Sequence, residues 1–221
     1  TDKPVRLVRL PIDVPTRPTA FTRRTIGFPE STFVFLTNFD YLSVPARKNP
    51  AGTIRAYITA FGPDDGATLV VKSINGRHRP GEREALRALA ADRPDVVFLD
   101  DYVSAAQLKA MLELADCFVS LHRSEGYGLN IADAMAHGTP TIATGYSGNL
   151  DFSTQQTSML VPCDIVEVGD HAAPYDSTAH WADPDMDAAS SAMRLLFDDR
   201  SAATALADRA LAHVREHHSL L

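Results

Sequence analysis

Residues 117–144 read CFVSLHRSEGYGLNIADAMAHGTPTIAT, and this stretch decides the fold. Cys117–Leu121 is a short apolar, β-rich run. Gly126-Tyr127-Gly128 then makes a turn, and a helical pattern follows over 128–137. His137-Gly138-Thr139-Pro140 ends that helix with a glycine and blocks its continuation with a proline. Thr141–Ala143 is a second apolar run. Strand, helix and strand at this spacing make a crossover unit, which joins parallel strands.

The same alternation extends in both directions. Upstream lie the apolar runs Phe33–Leu36, Thr68–Val71 and Val96–Leu99, and downstream lies Met159–Val161. Helical patterns separate them near 50–61, 82–92 and 104–115. Asn49-Pro50 supplies a cap residue followed by proline at the first helical position, and Asp183-Pro184 repeats that signature. The segment 163–184, rich in Asp, His and Pro, reads as irregular, and helices follow near 185–198 and 201–217. The expected architecture is α/β: a Rossmann-like, doubly wound parallel sheet covered on both faces and closed by C-terminal helices.

Residues 1–20 carry Pro4, Pro11, Pro15 and Pro18 around a short apolar stretch and read as an extended linker. Residues 21–221 then form one domain, a size that supports a substantial core. The chain starts at Thr1 without an initiator Met and stops just past a helical stretch, so it reads as an excerpt of something longer.

Composition excludes several classes. Hydrophobic residues are 45% and charged residues 22%, ordinary for a globular domain. A formal net charge of -7 argues against nucleic acid as a partner. Cys117 and Cys163 are the only cysteines and sit in no metal-like cluster; Cys117 reads as a buried free thiol and a reducing cytoplasm as the default compartment. No apolar run approaches the ~18 residues of a transmembrane segment, and no signal peptide is visible.

Ligands of an open parallel sheet bind beyond the carboxyl ends of its strands. Asn38, Asp40 and Ser43 follow the first strand, Lys72, Ser73 and Asn75 the second, Asp100, Asp101 and Tyr102 the third, and His122 to Glu125 the fourth. Arg47 and Lys48 immediately precede the helix capped by Asn49. A helix N-terminus already carries about +0.5 charge, so two cations there are locally unfavourable unless an anion binds between them. The plainer alternative lets both side chains swing into water. Lys72 ends an apolar strand and would enter the same cleft. Glu125 and Asp133 flank a glycine turn whose freed backbone N–H groups suit an anionic or polyhydroxylated ligand. Dipole stabilisation for Glu125 and an exposed helix face for Asp133 are the competing explanations.

Other chemistries lack their signatures. Gly126-x-Gly128 is missing the third glycine of a dinucleotide fingerprint, and there is no Walker A sequence. His171 and His180 are too scattered for a metal site, and His213, His217 and His218 read as a solvated helix end. Arg77, His78 and Arg79 read as a solvated turn, and Ser120, Ser124 and Ser147 have no nucleophile-elbow context.

Taken together, Ser120 through Leu129, Ala134-Met135, Gly138 through Thr144, Tyr146 through Asn149, Phe39-Asp40 through Pro50 and Trp181 through Asp185 resemble the C-terminal, donor-binding domain of retaining glycosyltransferases of the GT-B fold, the glycosyl transferases group 1 family. The likeness spans about residues 31–200. It implies that Lys48 contacts the donor diphosphate and stabilises the leaving group. It gives Glu125, with Gly126, Tyr127, Gly128 and Leu129, the donor sugar near its transferred carbon. The second acid of the family motif, usually Glu, is Asp133 here and would reach the ribose hydroxyls. The family's arginine upstream of the lysine is missing, so Ser43 or Arg47 would replace it. Tyr102 lies where the base is usually accommodated, and Lys72 is a further donor-binding candidate. The Trp181 segment offers a packed Trp and a helix cap.

The resemblance further implies a hexosyltransferase using a nucleotide-diphosphate sugar as co-substrate, without cofactor or metal. GDP-mannose is the first candidate donor, and surface polysaccharide synthesis the setting. An N-terminal acceptor domain, absent from this chain, would be its partner, so the isolated chain is expected to be inactive. Peripheral membrane contact is open to the full-length protein. The alternatives are a nucleotide-sugar epimerase of the same fold and a catalytically silent nucleotide-binding module.

Overall fold

The computed structural model describes residues 10–170 and 172–219. Pro4, His171 and the last two leucines therefore lie outside the described residues.

All six apolar runs form strands: β1 (Phe33–Asp40), β2 (Ala67–Ile74), β3 (Val96–Leu99), β4 (Cys117–Ser120), β5 (Thr141–Thr144) and β6 (Met159–Val161). They make one parallel sheet in the order β3-β2-β1-β4-β5-β6. The helices are α1 (Pro45–Lys48), α2 (Pro50–Ala60), α3 (Pro80–Ala88), α4 (Ala105–Leu114), α5 (Leu129–Ala136), α6 (Met186–Asp198) and α7 (Arg200–His217). This is the expected doubly wound, Rossmann-like α/β fold.

Strand side chains alternate between faces, and the core divides accordingly. Phe33, Phe35, Leu69, Val71 and Val119 pack on one face with Ile54 and Tyr57 of α2 and Met193 and Leu196 of α6. Val34, Leu36, Val70 and Phe118 pack on the other with Met111 of α4 and Ile131 and Met135 of α5. α7 serves both faces: Ala203 and Leu206 belong to the first cluster, Ala210 and Val214 to the second. Burial of both faces explains why the strands read as unbroken apolar runs rather than as alternating ones.

Three expectations are corrected. The segment 163–184 is not irregular throughout, because β7 (Cys163–Glu167) and β8 (His180–Pro184) pair as an antiparallel hairpin. Its strands are five residues each and β7 is largely exposed, so the hairpin carries little apolar patterning. Trp181 is buried and packs with Val168 and Ala172 against Val44 and Ala46, a burial that contributes about 1.5–3 kcal/mol. Pro184 ends β8, and the cap of α6 is Asp185, whose side chain accepts from the N–H groups of Asp187 and Ala188. His218 is buried rather than solvated, with its ring against Phe152 and its carbonyl accepting from the N–H of Ile12. That bond draws the extended leading segment onto α7 and buries Ile12. Cys117 is a buried free thiol, as expected, and burial pushes its pKa up.

The residues before α2 behave differently from a simple capped helix start. α1 lies between Val44 at φ 58° and Asn49 at φ 52°, both left-handed for residues that carry a Cβ. Strain of this kind costs about 1–3 kcal/mol per residue and persists only where the surroundings enforce it. Asn49 is enforced from two sides. Its Oδ1 accepts from the N–H of Gly52 at 3.1 Å, and its Nδ2 donates to the carbonyl of Leu121 at 2.9 Å. Asn49 thus ties the start of α2 to the end of β4. Asn49→Ala is expected to lower stability by about 2 kcal/mol through loss of the cap and of the Leu121 bond. Urea denaturation checks this, and an unchanged midpoint would mean that the cap is redundant.

Candidate functional site

The chain leaves β1 toward β2 on one side, while β4 leads to β5 on the other. The crevice at such a reversal of strand order is where open α/β sheets bind ligands. It is bordered here by the carboxyl ends of β1 and β4. Two adjoining cavities occupy it. An inner one of 290 Å³ is walled by Ser120, Glu125, Tyr127, Gly128 and Leu129. An outer one of 240 Å³ is walled by Ser43, Lys72, Ser73 and Tyr102. Asn38, Lys48 and Asn130 line both and mark their junction.

Lys48 stands at that junction because α1 ends there. Arg47 and Lys48 do not only precede α2, as the sequence suggests; they also occupy the last turn of α1, a favourable place for cations. Nor do they swing into water. Lys48 Nζ donates to Glu125 Oε1, and Arg47 Nη1 lies 3.3 Å from Glu125 Oε2. Arg47 also donates to the carbonyl of Ser124 at 2.8 Å. Its Nε is enclosed without a partner among the described residues, and Arg47 is not on the wall of either cavity. Arg47 therefore backs Glu125, whereas Lys48 faces the crevice.

The glycine turn is held from behind by a second loop. The N–H of Glu125 donates to Ser147 Oγ at 2.8 Å, and the N–H of Gly148 donates to the carbonyl of Glu125 at 3.1 Å. Gly128 sits at φ 92° as the cap of α5, a conformation that suits glycine. It brings no capping side chain. Among the described residues the amides of Leu129 and Asn130, in the first turn of α5, donate to no protein group. They are unsatisfied donors on residues that wall the inner cavity, as a helix start without a capping side chain leaves them. Gly126 is exposed and outside both cavity walls. Tyr127 stacks at 5.0 Å on Phe152, and its hydroxyl donates to the carbonyl of Leu10.

The remaining candidates separate. Ser43 and Tyr102 reach the outer cavity, where the exposed Tyr102 hydroxyl donates to Asn75 Oδ1. Lys72 lies inside β2 rather than beyond it. Its ammonium donates to the carbonyls of Ser73 and Asp101, and burial pulls its pKa down. Asp133 is not brought to either cavity wall and is not on an exposed face. It turns toward Lys109, Asp13 and His137, and burial raises its carboxyl pKa. Ser120, Asn130, Ser147 and Gly148 are residues that the sequence did not mark as site candidates. Asn38 and Asp40, on the same face of β1 rather than after it, both reach the outer cavity, and Asn38 alone of the two reaches the inner one.

Among the described residues, no group of three or more His, Cys, Asp or Glu side chains could hold a metal ion. No helix among them is long and apolar enough to cross a membrane.

The chain resembles known proteins in two ways. It is 28% identical over 109 residues to mannosylfructose-phosphate synthase of Agrobacterium fabrum, a match covering 49% of this chain and 22% of that protein. Its fold superimposes on that of HepE from Anabaena, solved in complex with UDP and glucose, with a TM-score of 0.68 at 14% identity. That match covers 89% of this chain and 47% of HepE, so the chain spans about half the length of this relative. The C-terminal domain of a glycosyl transferase group 1 family protein from Francisella tularensis matches over 92% of this chain and 96% of its own length, with a TM-score of 0.66 at 15% identity. The topology is therefore that of the C-terminal half of the GT-B fold. The family model for glycosyl transferases group 1 matches residues 57–173 of the 221, from α2 across the glycine turn and into the hairpin. With more than half of its length under that model, the chain belongs to the glycosyl transferases group 1 family.

Proposed function

We propose that this chain is the donor-binding domain of a retaining hexosyltransferase and holds a nucleotide-diphosphate sugar across the two cavities. The observation that carries this is their junction. A nucleotide sugar has a nucleoside at one end, a sugar at the other and a diphosphate between them, and Lys48 stands where the two cavities meet. The outer cavity, with Tyr102 and Ser43, takes the nucleoside. The inner cavity, with Glu125 and the turn Tyr127-Gly128-Leu129, takes the sugar.

Bond cleavage expels a nucleoside diphosphate, so negative charge grows on the phosphates. Preorganised cations and backbone donors stabilise that charge in the transition state. Lys48 and the free amides of Leu129 and Asn130 supply them, so transfer needs no metal. Glu125, released from Lys48 by the incoming diphosphate and still held by Arg47, accepts from hydroxyls of the sugar. Asp133 requires a rearrangement of α5 or a bridging water to reach a ribose. The acceptor comes from an N-terminal domain outside this chain, which is inactive by itself. The setting is polysaccharide synthesis in the cytoplasm. GDP-mannose is the first donor to test, and UDP-glucose the second, because HepE was solved with UDP and glucose.

Calorimetric titration of the full-length protein with GDP, UDP and dTDP tests the reading. Selective binding of one diphosphate, weakened at least tenfold in Lys48→Ala, is the expected result. Equal affinity of wild type and variant would remove the phosphate assignment.

A further inference from the structure

The inner cavity has a polarity set by the hydrogen bonds and the burial of His122. Asn149 Nδ2 donates to the carbonyl of Thr144 at 3.0 Å, which fixes its amide so that Oδ1 faces His122. His122 Nε2 lies 3.1 Å from that Oδ1 and 3.1 Å from the carbonyl of Tyr146. Both are acceptors, so Nε2 carries the proton. His122 is fully buried, and burial lowers its pKa, which keeps the ring neutral. Nδ1 is then a bare acceptor. Its partner at 3.0 Å is Ser120 Oγ, which must donate its only proton inward.

Ser120 consequently presents only lone pairs to the cavity that it lines. Asn38 has the same character. The β1–β4 register pairs Leu36 with Phe118. Asn38 and Ser120 each lie two residues beyond that pair, on the same face of their strands, and both line the inner cavity. Asn38 Oδ1 is enclosed and has no hydrogen-bond donor among the described residues. Two acceptors that meet no donor among the described residues thus belong to residues lining one cavity, and enclosed acceptors in native proteins are seldom left so.

We propose that Ser120 and Asn38 form a two-acceptor site for a sugar hydroxyl of the donor, with His122 and Asn149 as the positioning residues that fix its polarity. A phosphate oxygen has no proton to offer and does not fit; a hydroxyl of the hexose or of the ribose does. This rests on the donor-binding reading above.

The test uses calorimetry on the full-length protein with UDP, GDP, their 2′-deoxy forms, UDP-glucose and GDP-mannose. Ser120→Ala and Asn38→Ala are each expected to weaken binding by about 5–10-fold, the size of one neutral hydrogen bond. Loss confined to the nucleotide sugars assigns the hydroxyl to the hexose. Loss already present with the diphosphates, and absent with their 2′-deoxy forms, assigns it to the ribose. Wild type alone must show the same penalty with the matching deoxy ligand, a 2′-deoxy diphosphate for the ribose or a deoxyhexose form of the nucleotide sugar for the hexose, so the proposal does not depend on either variant folding. Diphosphates and sugars that bind wild type and Ser120→Ala equally would overturn the two-acceptor site and leave the donor domain standing. No binding of any ligand by folded wild type would overturn both.

Discussion

Lys48→Ala is expected to lower sugar transfer by the full-length protein by about 10²–10³-fold, mainly in kcat, as removal of a preorganised charge at a developing anion does elsewhere. Lys48 is the cation shared by both cavities, and no other among the described residues replaces it there: Arg47 lies behind Glu125, and Lys72 is committed to two backbone carbonyls. The stability cost should be small, about 1 kcal/mol, because Glu125 retains Arg47 as a partner and the side chain of Lys48 is 17% exposed. Steady-state transfer assays beside thermal melts separate the two effects. A variant that melts like wild type and keeps its kcat would sink the leaving-group role. Lys48→Arg keeps the charge but not the compact ammonium, and should recover only part of the rate.

Gly148→Ala should be the most damaging single methyl in the site. A Cβ on Gly148 would sit 2.2 Å from the carbonyl oxygen of Gly126, 2.5 Å from its carbon and 2.8 Å from Tyr127 Cα. All three are backbone atoms, so no side chain can swing aside. The two loops are also tied to each other through Glu125 N to Ser147 Oγ and Gly148 N to the Glu125 carbonyl, and Ser147 already holds a strained φ of 72°. Forcing them apart should cost about 2–4 kcal/mol, a drop in melting temperature of roughly 5–15 °C. It should also displace Glu125 enough to lower transfer by about 100-fold. Gly126 is the control: a Cβ there meets nothing within 4 Å, so Gly126→Ala should melt within about 2 °C of wild type. If Gly148→Ala behaved like that control, the strap between the loops would be unimportant.

Much of the fold was legible because a strand buried on both faces carries a continuous apolar run, such as Phe33–Leu36 in β1 and Leu69–Val71 in β2. The helices followed from local punctuation such as Asn49-Pro50 and Gly138-Thr139-Pro140. The hairpin was not legible. β7 and β8 are short and β7 is mostly exposed, while Trp181 of β8, with Val168 and Ala172 of the connecting loop, packs on Val44 and Ala46, far away in the chain.

At the site, the sequence by itself determined which residue types stand beyond the strand ends: the Arg47-Lys48 pair, the Glu125 turn and the small residues that let loops approach. The tertiary structure alone decided their roles. Arg47 and Lys48 are adjacent in sequence, yet one turns behind Glu125 and the other to the crevice. Asp133 follows Glu125 by eight residues, but the phase of α5 turns it toward Lys109 and His137. Asn38 and Ser120 are 82 residues apart and line one cavity only because β4 pairs with β1. Residue type and periodicity are local properties, written in consecutive positions. Strand order, loop-to-loop contact and the direction of a hydrogen bond depend on what the rest of the chain brings alongside.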